Sequence, residues 1–125
     1  MVLDTSSHKA VRWHTRNEFG SIRDVLSYSN QHQILLSNTS HEVFALDYDL
    51  NIITKIPYNE NISRLYQYKN YAYIASDLSL WNKIDRYDGQ SINELTLPFS
   101  SGVMDIAGDD TFLYALSANG TLTQV

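Results

Sequence analysis

The sequence predicts an all-β fold of about three four-stranded sheets. Two observations predict it: a self-similarity at a step of about 40 residues, and short turn-punctuated runs with almost no helical periodicity. Ile22, Ile62 and Val103 open three segments, each followed three residues later by a second aliphatic, Val25, Leu65 and Ile106. Apolar runs ending in serine come next, at 34–37, 73–76 and 114–117. A Tyr-Asp pair returns at Tyr48-Asp49 and Tyr87-Asp88, and a proline before an aromatic at Pro57-Tyr58 and Pro98-Phe99. A unit of this length holding several short strands is the mark of a β-propeller blade.

In the first segment, runs rich in β-branched and aromatic residues predict strands over 22–28, 33–37, 43–48 and 52–56. Clusters of Ser, Asn, Asp and Gln between them, at 29–31, 38–41 and 49–51, predict turns. The second segment repeats this as 62–68, 71–76, 84–87 and 92–97, with Asp88-Gly89-Gln90 forming a tight turn whose glycine can take positive φ. The third offers strands over 103–107, 112–117 and 121–125 and no fourth. The repeats therefore read as 22–58, 62–99 and 103–125 of a single β domain spanning 1–125. Upstream, Val11-Arg12-Trp13-His14-Thr15 reads as a lone strand that could supply the missing outer strand of the third sheet.

The second strand of every segment is apolar at consecutive positions: Leu35 and Leu36, Ile74 and Ala75, Ala115 and Leu116. A strand with that character is buried on both faces, as in stacked sheets, whereas a sandwich strand alternates apolar and polar. Leu35, Ile74 and Ala115 are expected at equivalent buried places. Three blades leave uncovered faces at the two ends, with Leu36, Phe44 and Leu116 on or near them. Self-association, a partner or further sequence would cover those faces. An open, sandwich-like β domain is the alternative architecture.

Composition narrows the function. Nine Lys and Arg against 14 Asp and Glu give a net charge of −5, so no cationic surplus exists for a phosphate backbone and nucleic-acid binding is not expected. Absence of cysteine removes disulfides, thiolate nucleophiles and Cys-ligated zinc. No apolar run approaches the ~18 residues of a membrane span, and the first ten residues lack the apolar core of a signal peptide, which predicts an intracellular protein of cytoplasm or nucleus. The sequons at Asn38, Asn61 and Asn119 are then expected to be unmodified.

Motifs for chemistry fail one by one. Asp47-Tyr48-Asp49-Leu50-Asn51 opens with calcium-loop spacing, but Ile52 stands where glycine is needed and Tyr58 where a bidentate glutamate belongs, so it reads as a hairpin turn. His8, His14, His32 and His41 show no ligand spacing. Asp109-Asp110 reads as a solvated turn rather than an acid/base pair. No nucleophile elbow, P-loop or dinucleotide fingerprint occurs. The expectation is a protein with no catalytic residue, metal or cofactor. The residues singled out for protein binding are Leu80, Trp81, Asn82 and Lys83, in a connection longer than its counterpart in the third segment, together with His41. Tryptophan anchors interfaces with large area and little entropy loss. Nine tyrosines leave a glycan-stacking surface as the alternative, in a small carbohydrate-binding propeller assembled from identical chains.

Residues 22–29 followed by Ile34-Leu35-Leu36-Ser37 and Val43-Phe44-Ala45-Leu46-Asp47 resemble degenerate blades of the WD-repeat family. Leu116-Ser117-Ala118-Asn119-Gly120-Thr121-Leu122 resembles the hairpin between the second and third strands of such a blade. The Gly-His pair and the closing Trp-Asp dipeptide are absent, and Leu46 precedes Asp47 where Trp would stand, so the family's buried Trp, His and Asp network does not carry over. The resemblance implies four to eight blades around a channel. It also implies a non-catalytic scaffold within an intracellular multiprotein assembly, completed by a protein partner or by self-association.

Overall fold

The structure is a computed structural model that describes residues 2–4, 9–12, 19–58, 61–76, 83–97 and 102–125, with the side chains of 2–4, 9–12 and 83 left undescribed. Strands β1 (Val2–Asp4) and β2 (Lys9–Arg12) form a two-stranded antiparallel sheet. Val11 and Arg12, expected in a closing strand, thus lie in β2, where Arg12 pairs with Val2 and Val11 falls at the register shift, and residues 13–15 lie outside the described residues.

Three meanders follow. The first sheet holds β3 (Ile22–Tyr28), β4 (Gln33–Asn38), β5 (Glu42–Leu46) and β6 (Ile52–Pro57). The second holds β7 (Ile62–Tyr68), β8 (Tyr71–Ser76), β9 (Lys83–Tyr87) and β10 (Ile92–Thr96). The third holds β11 (Val103–Gly108), β12 (Leu113–Ser117) and β13 (Leu122–Gln124). All neighbours pair antiparallel in chain order, and among the described residues there is no α-helix, only a 3-10 turn at Ser29–Gln31. The turn chemistry is local: His32 takes φ 53° and returns its N–H to the Ser29 carbonyl at 3.2 Å. Asp47 Oδ1 accepts the Asp49 and Asn51 amides at 2.9 Å each, closing the β5–β6 turn. Pro57 lies in the outermost strand, where no ladder donor is missed.

The register repeats. A bulge follows Ile22, Ile62 and Val103 at the start of each first strand, after which Val25 faces Leu36, Leu65 faces Ile74, and Ile106 faces Ala115. The counterpart of Ile74 and Ala115 is therefore Leu36, not Leu35. The β3–β4 hairpin carries four residues between the paired Tyr28 and Gln33, whereas β7–β8 carries two between Tyr68 and Tyr71, so the sequence step shortens by two within the blade. The same register makes Asp47, rather than Asp49, the counterpart of Asp88.

The core lies between sheets. Tyr28, Leu35, Val43 and Ala45 of the first sheet pack on Leu65, Ile74 and Tyr87 of the second. Tyr73, Ala75 and Ile84 of the second sheet pack on Val103, Ile106 and Ala115 of the third. Contacts between sheets are closest along their first and second strands and extend to the third, while β6 and β10 remain largely exposed, which is the splayed stacking of blades. Each fully buried aliphatic contributes roughly 1.5–3 kcal/mol.

Candidate interaction surface

Each sheet has one face turned to the sheet before it and one to the sheet after it. On the following faces, directly opposed residues on the second and third strands occupy one repeated place: Ser37–Val43, Ala75–Ile84 and Leu116–Leu122. Val43 and Ile84 are 0% exposed, whereas Leu122 is 66% exposed and Leu116 is exposed with it. Phe112 and Tyr114 extend this surface, their ring centroids 6.4 Å apart. Met104 is exposed at the bulge position whose counterpart, Ser63, donates its hydroxyl to the Val103 carbonyl of the next sheet. Asp105, Ile106, Ala107, Tyr114, Leu116 and Leu122 line a shallow groove. Residues that bury themselves against a neighbour in the first two sheets are open in the third.

The preceding faces show the reverse asymmetry. Val25 is 60% exposed, while its counterparts Leu65 and Ile106 are 3% and 2% exposed. Farther out, this end face is covered. Phe19 packs edge-on against Phe44 with centroids 5.2 Å apart, joined by Leu46, and is held by Asn38 Nδ2 donating to the Phe19 carbonyl at 2.8 Å. Phe44, expected on an uncovered face, is buried because the segment ahead of β3 folds onto it; Leu36 is half-buried beneath the same cluster.

Polar contacts stitch the seams. Asp24 Oδ2 accepts the Leu65 amide of the next sheet at 3.1 Å, and Arg64 Nε pairs with Asp105 of the third at 3.3 Å. Asp24, Arg64 and Asp105 occupy one repeated place. Tyr28 donates to the Asn70 carbonyl at 2.6 Å, and Tyr87 to Gln33 Oε1 at 3.0 Å. Burial raises the Tyr28, Tyr73 and Tyr87 hydroxyls above the ordinary phenol value, by removing the phenolate from water. Amide donors of Ser91 and Gln90 lower Asp88, and those of Phe112 and Thr111 lower Asp109. Asn38 and Lys55 hold the exposed Glu42 carboxylate below its usual range.

Leu80, Trp81 and Asn82 lie outside the described residues, as does the Lys83 side chain; the Lys83 backbone opens β9 opposite Thr96. His41, at φ 62°, ends the β4–β5 turn and its carbonyl accepts the Tyr58 N–H at 2.8 Å. The segment before Lys83 joins β8 to β9, so His41 and Lys83 mark the same connection in adjacent sheets. Sequence reasoning missed Val25 and Leu122, whose exposure stands out only beside their buried counterparts, and with them the exposed Met104 and half-buried Tyr114. Among the described residues, no group of three or more His, Cys, Asp or Glu could hold a metal ion, and no helix is long and apolar enough to cross a membrane.

No protein-family model matches the chain, and no curated protein matches it in sequence. Among solved structures it is similar to Sqt1 of Saccharomyces cerevisiae, a WD-repeat protein, with a TM-score of 0.65 over 88% of this chain at 13% identity. The chain spans 33% of that Sqt1 chain. A computationally designed protein, Ika4, aligns with 84% of this chain and 90% of its own at 9% identity, with a TM-score of 0.46. At its low identity the likeness to Sqt1 speaks to fold alone: the three sheets are propeller blades.

Proposed function

We propose that the chain is a non-catalytic, propeller-type interaction module that serves as a scaffold in an intracellular multiprotein assembly. The observation that carries this reading is the Leu116–Leu122 pair, open on the third sheet where the same pair position is buried in the first two. Apolar side chains clustered on one exposed face mark a contact surface. A second contact region is assigned to Leu80, Trp81, Asn82 and Lys83 with His41, because these connections belong to the same end of neighbouring sheets.

The test is quantitative affinity purification of the wild-type chain beside Leu122→Asp and Trp81→Ala. The expected result is a defined set of proteins lost from Leu122→Asp, and some from Trp81→Ala, with both variants melting near the wild-type temperature. Retention of every partner by Leu122→Asp would remove the third sheet from the assembly. A specific signal on a glycan array with no protein partner would favour a carbohydrate-binding role instead.

A further inference from the structure

We infer that the open face of the third sheet takes the preceding face of a propeller-type sheet that is not a copy of this chain's first sheet, and that a basic residue of that sheet meets Asp105. This rests on the scaffold reading and deepens it. Both internal seams have the same grammar. Asp24 and Arg64, each just before the aliphatic at one repeated place of the first strand, sit on the following face and contact that same region of the next sheet. Asp24 takes the Leu65 amide of the second sheet, and Arg64 of the second takes the Asp105 carboxylate of the third. The series along the stack is acidic, basic, acidic, and Asp105 ends it beside the groove of Tyr114, Leu116 and Leu122.

A second copy offers the wrong face. Its first sheet would bring Asp24 towards Asp105, two carboxylates in one seam, a like-charge arrangement that opposes association. The outer part of that sheet's preceding face is covered by Phe19 over Phe44 and Leu46. The second sheet shows what fits: aliphatics at the places of Ile62 and Leu65 and an arginine between them. The occupant is a sheet of that chemistry.

The full chain, extended after Val125 through a flexible linker by a further copy of residues 61–97, provides a defined probe. A Leu122→Cys substitution supplies the only thiol, because the chain has no cysteine. The expected result is at least a tenfold slower maleimide labelling of that cysteine than in the unextended chain, with the far-ultraviolet strand signal increased in proportion to the added sheet. Arg64→Asp in the appended copy should abolish the protection, and Arg64→Lys there should keep it. An extension built from residues 19–58 should protect little. Two results overturn the inference: equal protection by the two extensions, or labelling unchanged by a folded second-sheet extension. Self-association of the unextended wild-type chain at micromolar concentration, abolished by Leu116→Asp in sedimentation velocity, would also overturn it, by making a second copy the occupant, and would leave the scaffold reading standing.

Discussion

Asp24 accepts the Leu65 amide across the seam between the first and second sheets at 3.1 Å through Oδ2, while its Oδ1 holds the Val25 amide at 2.9 Å. One half-buried carboxylate thus orders its own bulge and ties it to the next blade. Asp24→Ala removes both bonds and leaves the Leu65 N–H without this partner, which should cost about 1–2 kcal/mol in urea unfolding. Asp24→Asn, which still accepts, should cost less than half of that. Equal costs for the two would show that the seam depends on charge alone.

The second and third sheets meet at Gly108, whose N–H donates to the Tyr66 hydroxyl at 3.0 Å. A Cβ there would stand 2.4 Å from a ring carbon of Tyr68, too near for either to stay in place. Gly108→Ala should destabilise by about 1–3 kcal/mol, as overpacking does. In a Tyr68→Ala background the same substitution should cost much less, since neighbouring changes are non-additive. An unchanged penalty in that background would place the strain elsewhere.

Asp88 and Asp109 make the fold sensitive to acid. Asp88 Oδ1 accepts the Ser91 and Gln90 amides at 2.8 and 2.9 Å, and Asp109 Oδ1 accepts those of Phe112 and Thr111 at 2.8 Å each. Both carboxyls sit below their ordinary 3.8, so the folded state binds these protons less readily than the unfolded chain. Their stabilisation is complete above about pH 4 and is lost as pH falls through the depressed folded values. The Asp88→Asn, Asp109→Asn double variant should melt below the wild type at neutral pH and converge with it in acid, once the pH has passed below the depressed folded values. A gap independent of pH would contradict the assignment.

Tyr28, Tyr73 and Tyr87 set the alkaline limit. Burial raises each above 10.0, so the stability that comes from keeping them neutral is complete below about pH 10 and is lost as pH rises through the folded values. Tyrosinate absorbance from these three should appear only together with loss of strand signal. A single ionisation step completed before unfolding would show that they are solvated.

The period, the strand order and the stacking were legible because strands and turns are local: β-branched runs, Asp-capped turns and a second strand apolar on both faces need no tertiary information. The phase inside the blade was not. Four residues in the β3–β4 hairpin against two in β7–β8 move the partner of Ile74 from Leu35 to Leu36, and only the pairing reveals it. The open face was hidden for the same reason, since Leu122 looks like any strand leucine until it is aligned with Val43 and Ile84. Phe44 was misread because its cover, Phe19, lies outside the repeat.

Unfolding of Ile84→Ala and Leu122→Ala in urea, at a concentration where the chain sediments as a single copy, decides whether the following face of the third sheet is open. The two residues hold the same place in consecutive blades, one enclosed by the next sheet and one facing solvent. Ile84→Ala should cost about 2–4 kcal/mol through lost burial and a residual cavity, and Leu122→Ala less than about 0.5 kcal/mol. Comparable costs at both positions would mean that the following face of the third sheet is already covered within the chain, and the account of an open, docking-competent blade would fall.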